Sequence, residues 1–259
     1  MKITSWNINS VRLRLPLLEQ VLRKVDCDVI CLQETKCQDT DYPEQAIADL
    51  GYGYQAYRGE KSYNGVAIIS RIPLDDIQFE YWAGKEDCRH ISAVANGVRI
   101  HNFYIPAGGD EPNREINPKF GHKLDFVDEV TSYFAKQKPQ KSVMVGDLNI
   151  APLAEDVWST KQLKNVVSHT DIERENLLQL IEKGGWTDAM RSYFGPNEIL
   201  YSWWSYRARD YLASNRGRRL DHIFVSNDIA SNVSGAEIFS EARGWEKPSD
   251  HVPISITLD

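Results

Sequence analysis

The chain has few of the features that would mark it as zinc-bound, secreted or membrane-embedded. It holds four cysteines in 259 residues, at 27, 31, 37 and 88. None forms a C-x-x-C pair and no His-x-x-x-His follows, so a zinc finger or ribbon is not expected. Free thiols of a reducing compartment are the reading. No apolar run approaches ~18 residues, so no membrane span is expected. The start goes straight into Lys2-Ile3-Thr4-Ser5-Trp6, with no charged segment leading an apolar one, and no signal peptide is expected. An excess of basic residues is also missing. Thirty Lys and Arg face 37 Asp and Glu, a net charge of −7. A global positive field is therefore absent. A cluster of metal-binding carboxylates would itself make a total acidic, so what matters is where the basic residues sit. No linker, repeat or low-complexity stretch divides the chain. With 42% hydrophobic residues it can bury the core of one large domain spanning 1–259.

What is present is a series of short apolar strands. Candidates are Ile3–Asn7, Val29–Gln33, Gly53–Tyr57, Gly65–Ser70, Ile91–Ala95, Val98–Tyr104, Ser142–Gly146, Leu220–Val225 and Val252–Leu258. Asn96-Gly97 between two of them signals a two-residue hairpin. Helical spacing of apolar residues marks Leu13–Lys24 and Phe120–Ala135, and Asn176–Lys183 runs into Gly184-Gly185. Hairpins interleave with helices. This predicts an α/β fold of two mixed sheets packed face to face with helices outside, rather than an alternating β-α-β barrel.

The polar residues at the ends of these strands carry the chemistry. Val143-Met144-Val145 runs into Gly146-Asp147-Leu148-Asn149. Asp147 and Asn149 are two apart and, if extended, point the same way. The first strand ends in Asn7 and the second is followed by Glu34. Asp221-His222 opens a strand, and Ser249-Asp250-His251 precedes the last. Each alone reads as an ordinary cap or turn. Together they offer hard oxygen ligands suited to Mg²⁺ and a carboxylate–imidazole pair suited to proton handling on a phosphate.

Asn7, Leu-Gln-Glu-Thr-Lys at 32–36, Gly-Asp-Leu-Asn at 146–149 and Ser-Asp-His at 249–251 resemble the exonuclease–endonuclease–phosphatase superfamily. Asn9-Ser10-Val11-Arg12, Asn102 to Pro106, Asn215 to His222 and Glu246 to His251 narrow this to the exonuclease III branch of abasic-site endonucleases. The resemblance runs from the first strand to the last. It implies a deoxyribonuclease I-like four-layer α/β sandwich and a Mg²⁺-dependent nuclease, with Mn²⁺ as a substitute. The implied substrate is duplex DNA with 3′ ends or abasic sites, and the implied protein is a bacterial cytoplasmic monomer with no membrane partner. By the same resemblance Glu34 is the principal metal ligand, with Asn7, Asp250, Asp147, Asn149 and His251 around it. Asp147 is the acid or base, Asn149 orients the nucleophile or supports the transition state, and His251 backed by Asp221 meets the phosphate. Tyr104 donates to the phosphate or leaving oxygen. One or two metals, and Asp147 or His251 as base, stay open at this stage.

Tyr201 to Leu220 interleaves arginines 207, 209, 216, 218 and 219 with Trp203, Trp204, Tyr206 and Tyr211. Arginine forks grip phosphates and aromatic faces stack on exposed bases or sugars, so the segment supplies a local DNA-binding wall. Trp203 matches the family's position lining a flipped abasic sugar. Arg12, Asn113 and Arg114 are further candidate DNA contacts. His169 stands where relatives have Phe, and the proline that follows in them is missing. His169 is therefore expected at the lesion pocket. The remaining four histidines are expected to be structural. A superfamily phosphatase acting on a phosphoinositide is the alternative, and the arginine–aromatic segment argues against it.

Overall fold

The computed structural model describes residues 1–207 and 210–259. Arg209 of the basic segment therefore lies outside the described residues. Among the described residues, twelve strands form two six-stranded mixed sheets. The first sheet contains β1 (Lys2–Asn7), β2 (Val29–Gln33), β3 (Tyr54–Glu60), β4 (Tyr63–Ser70), β11 (Val233–Ile238) and β12 (Ile254–Leu258). The second contains β5 (Leu74–Gln78), β6 (His90–Ala95), β7 (Val98–Tyr104), β8 (Ser142–Asp147), β9 (Trp186–Asp188) and β10 (Asp221–Ser226). Their spatial orders are β11-β12-β1-β2-β4-β3 and β5-β6-β7-β8-β10-β9. The helices are α1 (Leu15–Val25), α2 (Glu44–Ala48), α3 (Pro118–Gln137), α4 (Thr160–Leu163), α5 (Asp171–Gly184), α6 (Ala189–Phe194) and α7 (Tyr211–Ser214).

Strand periodicity creates the layers. Ile3, Val29, Cys31, Ile100, Val143, Val145, Ile223 and Val225 point between the sheets and form one buried cluster. Their neighbours face outward. Trp6, Ile30 and Leu32 pack with Leu18, Val21 and Leu22 of α1. Phe103, Met144 and Phe224 pack with Phe126, Val130 and Phe134 of α3 and Leu177 and Leu180 of α5. The result is the expected four-layer sandwich, helix–sheet–sheet–helix. Asn96 and Gly97 both take positive φ in the expected hairpin between β6 and β7. Helix α5 begins five residues before its expected start. Thr170 caps it and Glu173 completes a capping box.

The inward-facing stripe turns polar at one end. Ser5, Gln33 and Asn102 are buried there, and Gln33 Nε2 donates to both Ser5 Oγ (3.1 Å) and Asn102 Oδ1 (2.7 Å). The Asn102 amide donates on to the Leu32 and Ala67 carbonyls, each at 2.9 Å. These bonds tie the two sheets together directly beneath the strand ends. Among the described residues no helix is long and apolar enough to cross a membrane.

Candidate active site

Asn7, Asp147 and Asp221 continue the inward stripe past the last apolar residue of their strands. Register aligns them: Tyr104 lies opposite Asp147, Asp147 opposite Asp221, and Asn7 opposite Gln33, which precedes Glu34. The site is thus the polar mouth of the seam between the sheets. Close backbone approach forms part of it. Gly146 has φ +147°, and a Cβ there would sit 1.9 Å from the Phe103 carbonyl, so only glycine lets β8 lie this close to β7. Asn9, Ser10, Glu34, Lys36, Asn149 and Ser168 also take positive φ, a conformation uncommon outside glycine that gathers here around one cleft.

Asn7 is fully buried and acts as a bridge. Its Nδ2 donates to Glu34 Oε1 (2.9 Å) and Asp147 Oδ2 (2.8 Å), while its Oδ1 accepts from the Asn9 amide (3.1 Å). In this arrangement Asn7 links the two carboxylates through its amide nitrogen, and its oxygen is engaged by the Asn9 amide. His251 Nδ1 donates to Asp221 Oδ2 (2.8 Å), and its Nε2 lies 3.6 Å from Asp147 Oδ2. Asp221 is held in turn by the Ser202 hydroxyl (2.6 Å). Burial works against the His251 imidazolium, but Asp221 first and Asp147 next overcome it and hold the histidine well above its ordinary pKa. Burial raises Asp147 above the usual carboxylate range, opposed by His251 and reinforced by Asp221. Glu34 is lowered despite burial, chiefly by Lys36, whose Nζ lies 2.6 Å from Oε2. Burial and the Glu34 and Asp147 carboxylates push the Tyr104 phenol up, so it stays protonated.

The chemistry of this donor set fits a hard divalent cation. Of four neighbouring carboxylates (Glu34, Asp147, Asp221 and Asp250), Glu34 pairs with Lys36, and Asp147 and Asp221 share His251. Asp147, Asp221 and His251 bring ligand atoms within 4.8 Å of one another. The pairing of His251 with both aspartates makes that trio a proton-holding unit. Glu34, open to the cleft, is the better cation ligand.

A cleft of about 980 Å³ opens above these groups. Of the residues singled out in the sequence, Tyr104, Asn149, Trp203, Arg207, Arg216, Arg218 and Asp250 line it. Trp203 Nε1 donates to Asp250 Oδ2 (3.0 Å), and Asn9 donates to Oδ1 of the same carboxylate (3.1 Å). Arg218 lies over the Trp203 ring and donates to Ser168 Oγ (2.7 Å), while Arg216 lies over Trp158. Trp158, Ser168 and Lys36 are site residues that received no role from the sequence. Lys36 lay within the quoted Leu-Gln-Glu-Thr-Lys motif and could have been found there.

Several expected contacts sit elsewhere. His169 is fully buried, with Nδ1 at 2.7 Å from the Ala151 carbonyl and Nε2 at 3.2 Å from Thr160 Oγ1. The positive φ of Ser168 turns the chain there, so Ser168 faces the cleft and His169 faces the interior. Arg219 is also buried. It bonds Asp188, pairs with Asp156 (3.4 Å) and contacts His222 Nδ1 (2.9 Å). Trp204 is buried in the core. Arg12 pairs with Asp41 (3.7 Å) and Arg114 with Asp125 (2.9 Å), both exposed, and Asn113 is exposed with its side chain capping Glu115 N. These three lie outside the cleft lining. His90 and His101 contact each other at 3.2 Å within the second sheet, away from the site. His222, expected to be structural, is buried against Arg219 (2.9 Å) and the Ile150 carbonyl (2.8 Å).

Two face-to-face sheets whose seam opens on a carboxylate–histidine centre define a hydrolase of the two-sheet sandwich class. The chain belongs to the Endonuclease/Exonuclease/phosphatase family, which it matches over residues 4–251. It is 30% identical to an exodeoxyribonuclease of Bacillus subtilis over the whole of both chains. An exodeoxyribonuclease III of Haemophilus influenzae is also 30% identical, over 98% of each chain. Among solved structures, a 3′ phosphatase from Neisseria bound to a product DNA hairpin superposes with a TM-score of 0.92 at 31% identity, covering 100% of this chain and 99% of that one. An AP endonuclease from Archaeoglobus fulgidus superposes with a TM-score of 0.93, also at 31% identity and with the same coverage.

Proposed function

We propose that this protein is a Mg²⁺-dependent DNA repair nuclease of the exodeoxyribonuclease III type. It hydrolyses phosphate esters at the 3′ ends of duplex DNA and incises 5′ to abasic sites. The observation that carries this reading is one shared cleft. Its floor holds the linked Glu34–Asn7–Asp147 and Asp147–His251–Asp221 groups, and its wall holds Trp203, Arg216 and Arg218. The exodeoxyribonuclease relatives and the Neisseria neighbour with its DNA hairpin support the same substrate.

Mg²⁺ held by Glu34, with Asp250 nearby, would neutralise charge building on the phosphate oxygens. The protein's own groups do the rest. Asp147 is a desolvated carboxylate whose raised pKa suits it to accept a proton from the attacking water. Asn149, anchored by Nδ2 to the Ile105 carbonyl (2.9 Å) and to Asp147 (3.2 Å), orients that water. His251 is kept protonated between two aspartates and donates from Nε2 toward the phosphate rather than acting as the base. The protonated Tyr104 phenol is a second donor. The Arg216–Trp158 and Arg218–Trp203 pairs offer phosphate forks backed by stacking faces. A sugar lacking its base is swung into such a cleft at lower cost than an intact nucleotide. An inositol-phosphate substrate would leave this arginine–tryptophan wall without a role.

The test is incubation with Mg²⁺ and duplex DNA carrying an abasic site or a recessed 3′ end, with EDTA as control. EDTA-sensitive cleavage is expected. Intact DNA in both substrates would refute the reading.

A further inference from the structure

Lys123 of α3 and Glu173 of α5 form an ion pair at 2.5 Å, and both side chains are fully buried. The chemistry above does not use them. The Lys123 ammonium has three donors, and all are engaged. Besides Glu173 they reach the Asn149 carbonyl (2.8 Å) and the Ala107 carbonyl (3.3 Å). Glu173 accepts the Ser168 amide on both oxygens (2.9 Å each) and the Thr170 hydroxyl (2.6 Å). Ser168 in turn accepts from the Ala151 amide (2.7 Å) and from Arg218 (2.7 Å). Ala107, Asn149, Ser168 and Arg218 all line the cleft. The lysine stem packs so closely that a Cβ on Gly108 would sit 2.9 Å from Lys123 Cδ.

Burying an ion pair costs desolvation, and well-packed apolar side chains in its place are often equally or more stable. Apolar side chains could not bond two carbonyls and an amide from three separate loops. We propose that Lys123 and Glu173 are a positioning pair for hydrolysis. They hold the loop of Asn149, the loop of Ala107 and the Ser168–Arg218 wall in the one register that aligns water and phosphate. The proposal rests on the nuclease reading of the cleft and adds to it two residues that never touch DNA.

The test compares wild type, Lys123→Met and the double variant Lys123→Met/Glu173→Leu. Melting temperature, kcat and KM on recessed 3′ DNA, and amide hydrogen exchange are measured for each. The single variant leaves a buried carboxylate unpaired and should melt lower. The double variant should regain the wild-type melting temperature, yet keep a kcat about 10- to 100-fold down with KM little changed, as misplaced groups at an intact site do. Its Asn149 and Ala151 amides, which neither residue bonds, should exchange faster, while Val143 to Val145 of β8 stay protected. Recovery of kcat together with melting temperature would reduce the pair to a structural one and overturn the proposal. If the double variant does not fold, Glu173→Gln keeps the volume but cannot accept the Ser168 amide on both atoms. Unchanged kcat and Ala151 exchange in that variant would overturn the proposal as well. If wild type cleaves nothing, the nuclease reading falls, and exchange at Asn149 and Ala151 alone decides the pair.

Discussion

Two buried polar networks flank the start of β10, and they differ in whether their charges close. In one, Asp156 and Asp188 meet Arg191 and Arg219, with His222 against Arg219 and the Ile150 carbonyl. Burial and the neighbouring Arg219 push the His222 pKa down to about 4, so the ring is neutral. In the other, His251 stands among aspartates and is held charged, while Asp147 is driven up. The same residue types therefore serve two ends. Carboxylates matched by arginines hold a loop in place. Carboxylates left in excess, at a cleft, hold protons and a cation.

This contrast can be broken by substitution. The largest effect is expected from Asp147→Asn, which preserves shape and removes the proton acceptor. Turnover should fall about 1000-fold while DNA affinity in EDTA stays near wild type. Single-turnover cleavage and a binding titration check this, and near-normal turnover would remove Asp147 from its assigned role. Arg219→Met should do the reverse. It strips the closed network of one of its two cations and should cost about 3–5 kcal/mol of stability, read by urea unfolding. Lost activity in a variant of unaltered stability would mean that Arg219 serves the cleft after all.

Asn7→Ala sharpens the difference between ligand and support. Loss of a group that orients a metal-binding carboxylate should raise the Mg²⁺ needed for half-maximal cleavage by about 10- to 100-fold. An unchanged Mg²⁺ titration would show that Glu34 needs no such bridge. The smallest effect concerns pH. His222 is neutral in the fold, with a pKa lowered from 6.5 to about 4. Above 6.5 both folded and unfolded states leave it uncharged. As pH falls from 6.5 toward 4 the unfolded chain takes up a proton that the fold refuses, and stability declines by up to about 1.4 kcal/mol per pH unit. His222→Asn should flatten that decline in unfolding free energies measured between pH 7 and 5. An identical slope would assign the acid sensitivity elsewhere, for example to the His90–His101 pair.

The site was largely legible because strand periodicity is simple. An apolar strand that aims Val143 and Val145 inward also aims Asp147 inward, so the groups at strand ends could be read before their partners were known. The outer elements were harder to see. β5, β9 and β11 escaped notice because Leu-Asp-Asp-Ile-Gln, Trp-Thr-Asp and Val-Ser-Gly-Ala-Glu-Ile lack a continuous apolar run. All three lie at or beside sheet edges, where little apolar burial is required. His169 was misplaced for a different reason. A loop has no period, and one positive φ at Ser168 decides which neighbour faces the cleft. Arg218 and Arg219 show the same limit within a strand-like segment, since adjacent residues face opposite ways. Lys123 and Glu173 received no role from the sequence, and the Thr170-x-x-Glu173 capping pattern was the one local signal that Glu173 turns back on the chain.

The charge distribution has a consequence for how substrate is met. The protein carries −7 overall, while Arg207, Arg216 and Arg218 gather at one cleft. The net charge opposes a polyanion at long range while the cleft arginines attract it locally, so productive encounters are biased toward the cleft. Loose attachment to undamaged duplex is discouraged for the same reason, which favours quick release and renewed search. Salt screens the repulsion along with the attraction. Raising ionic strength should therefore slow capture and at the same time make it less selective about the direction of approach.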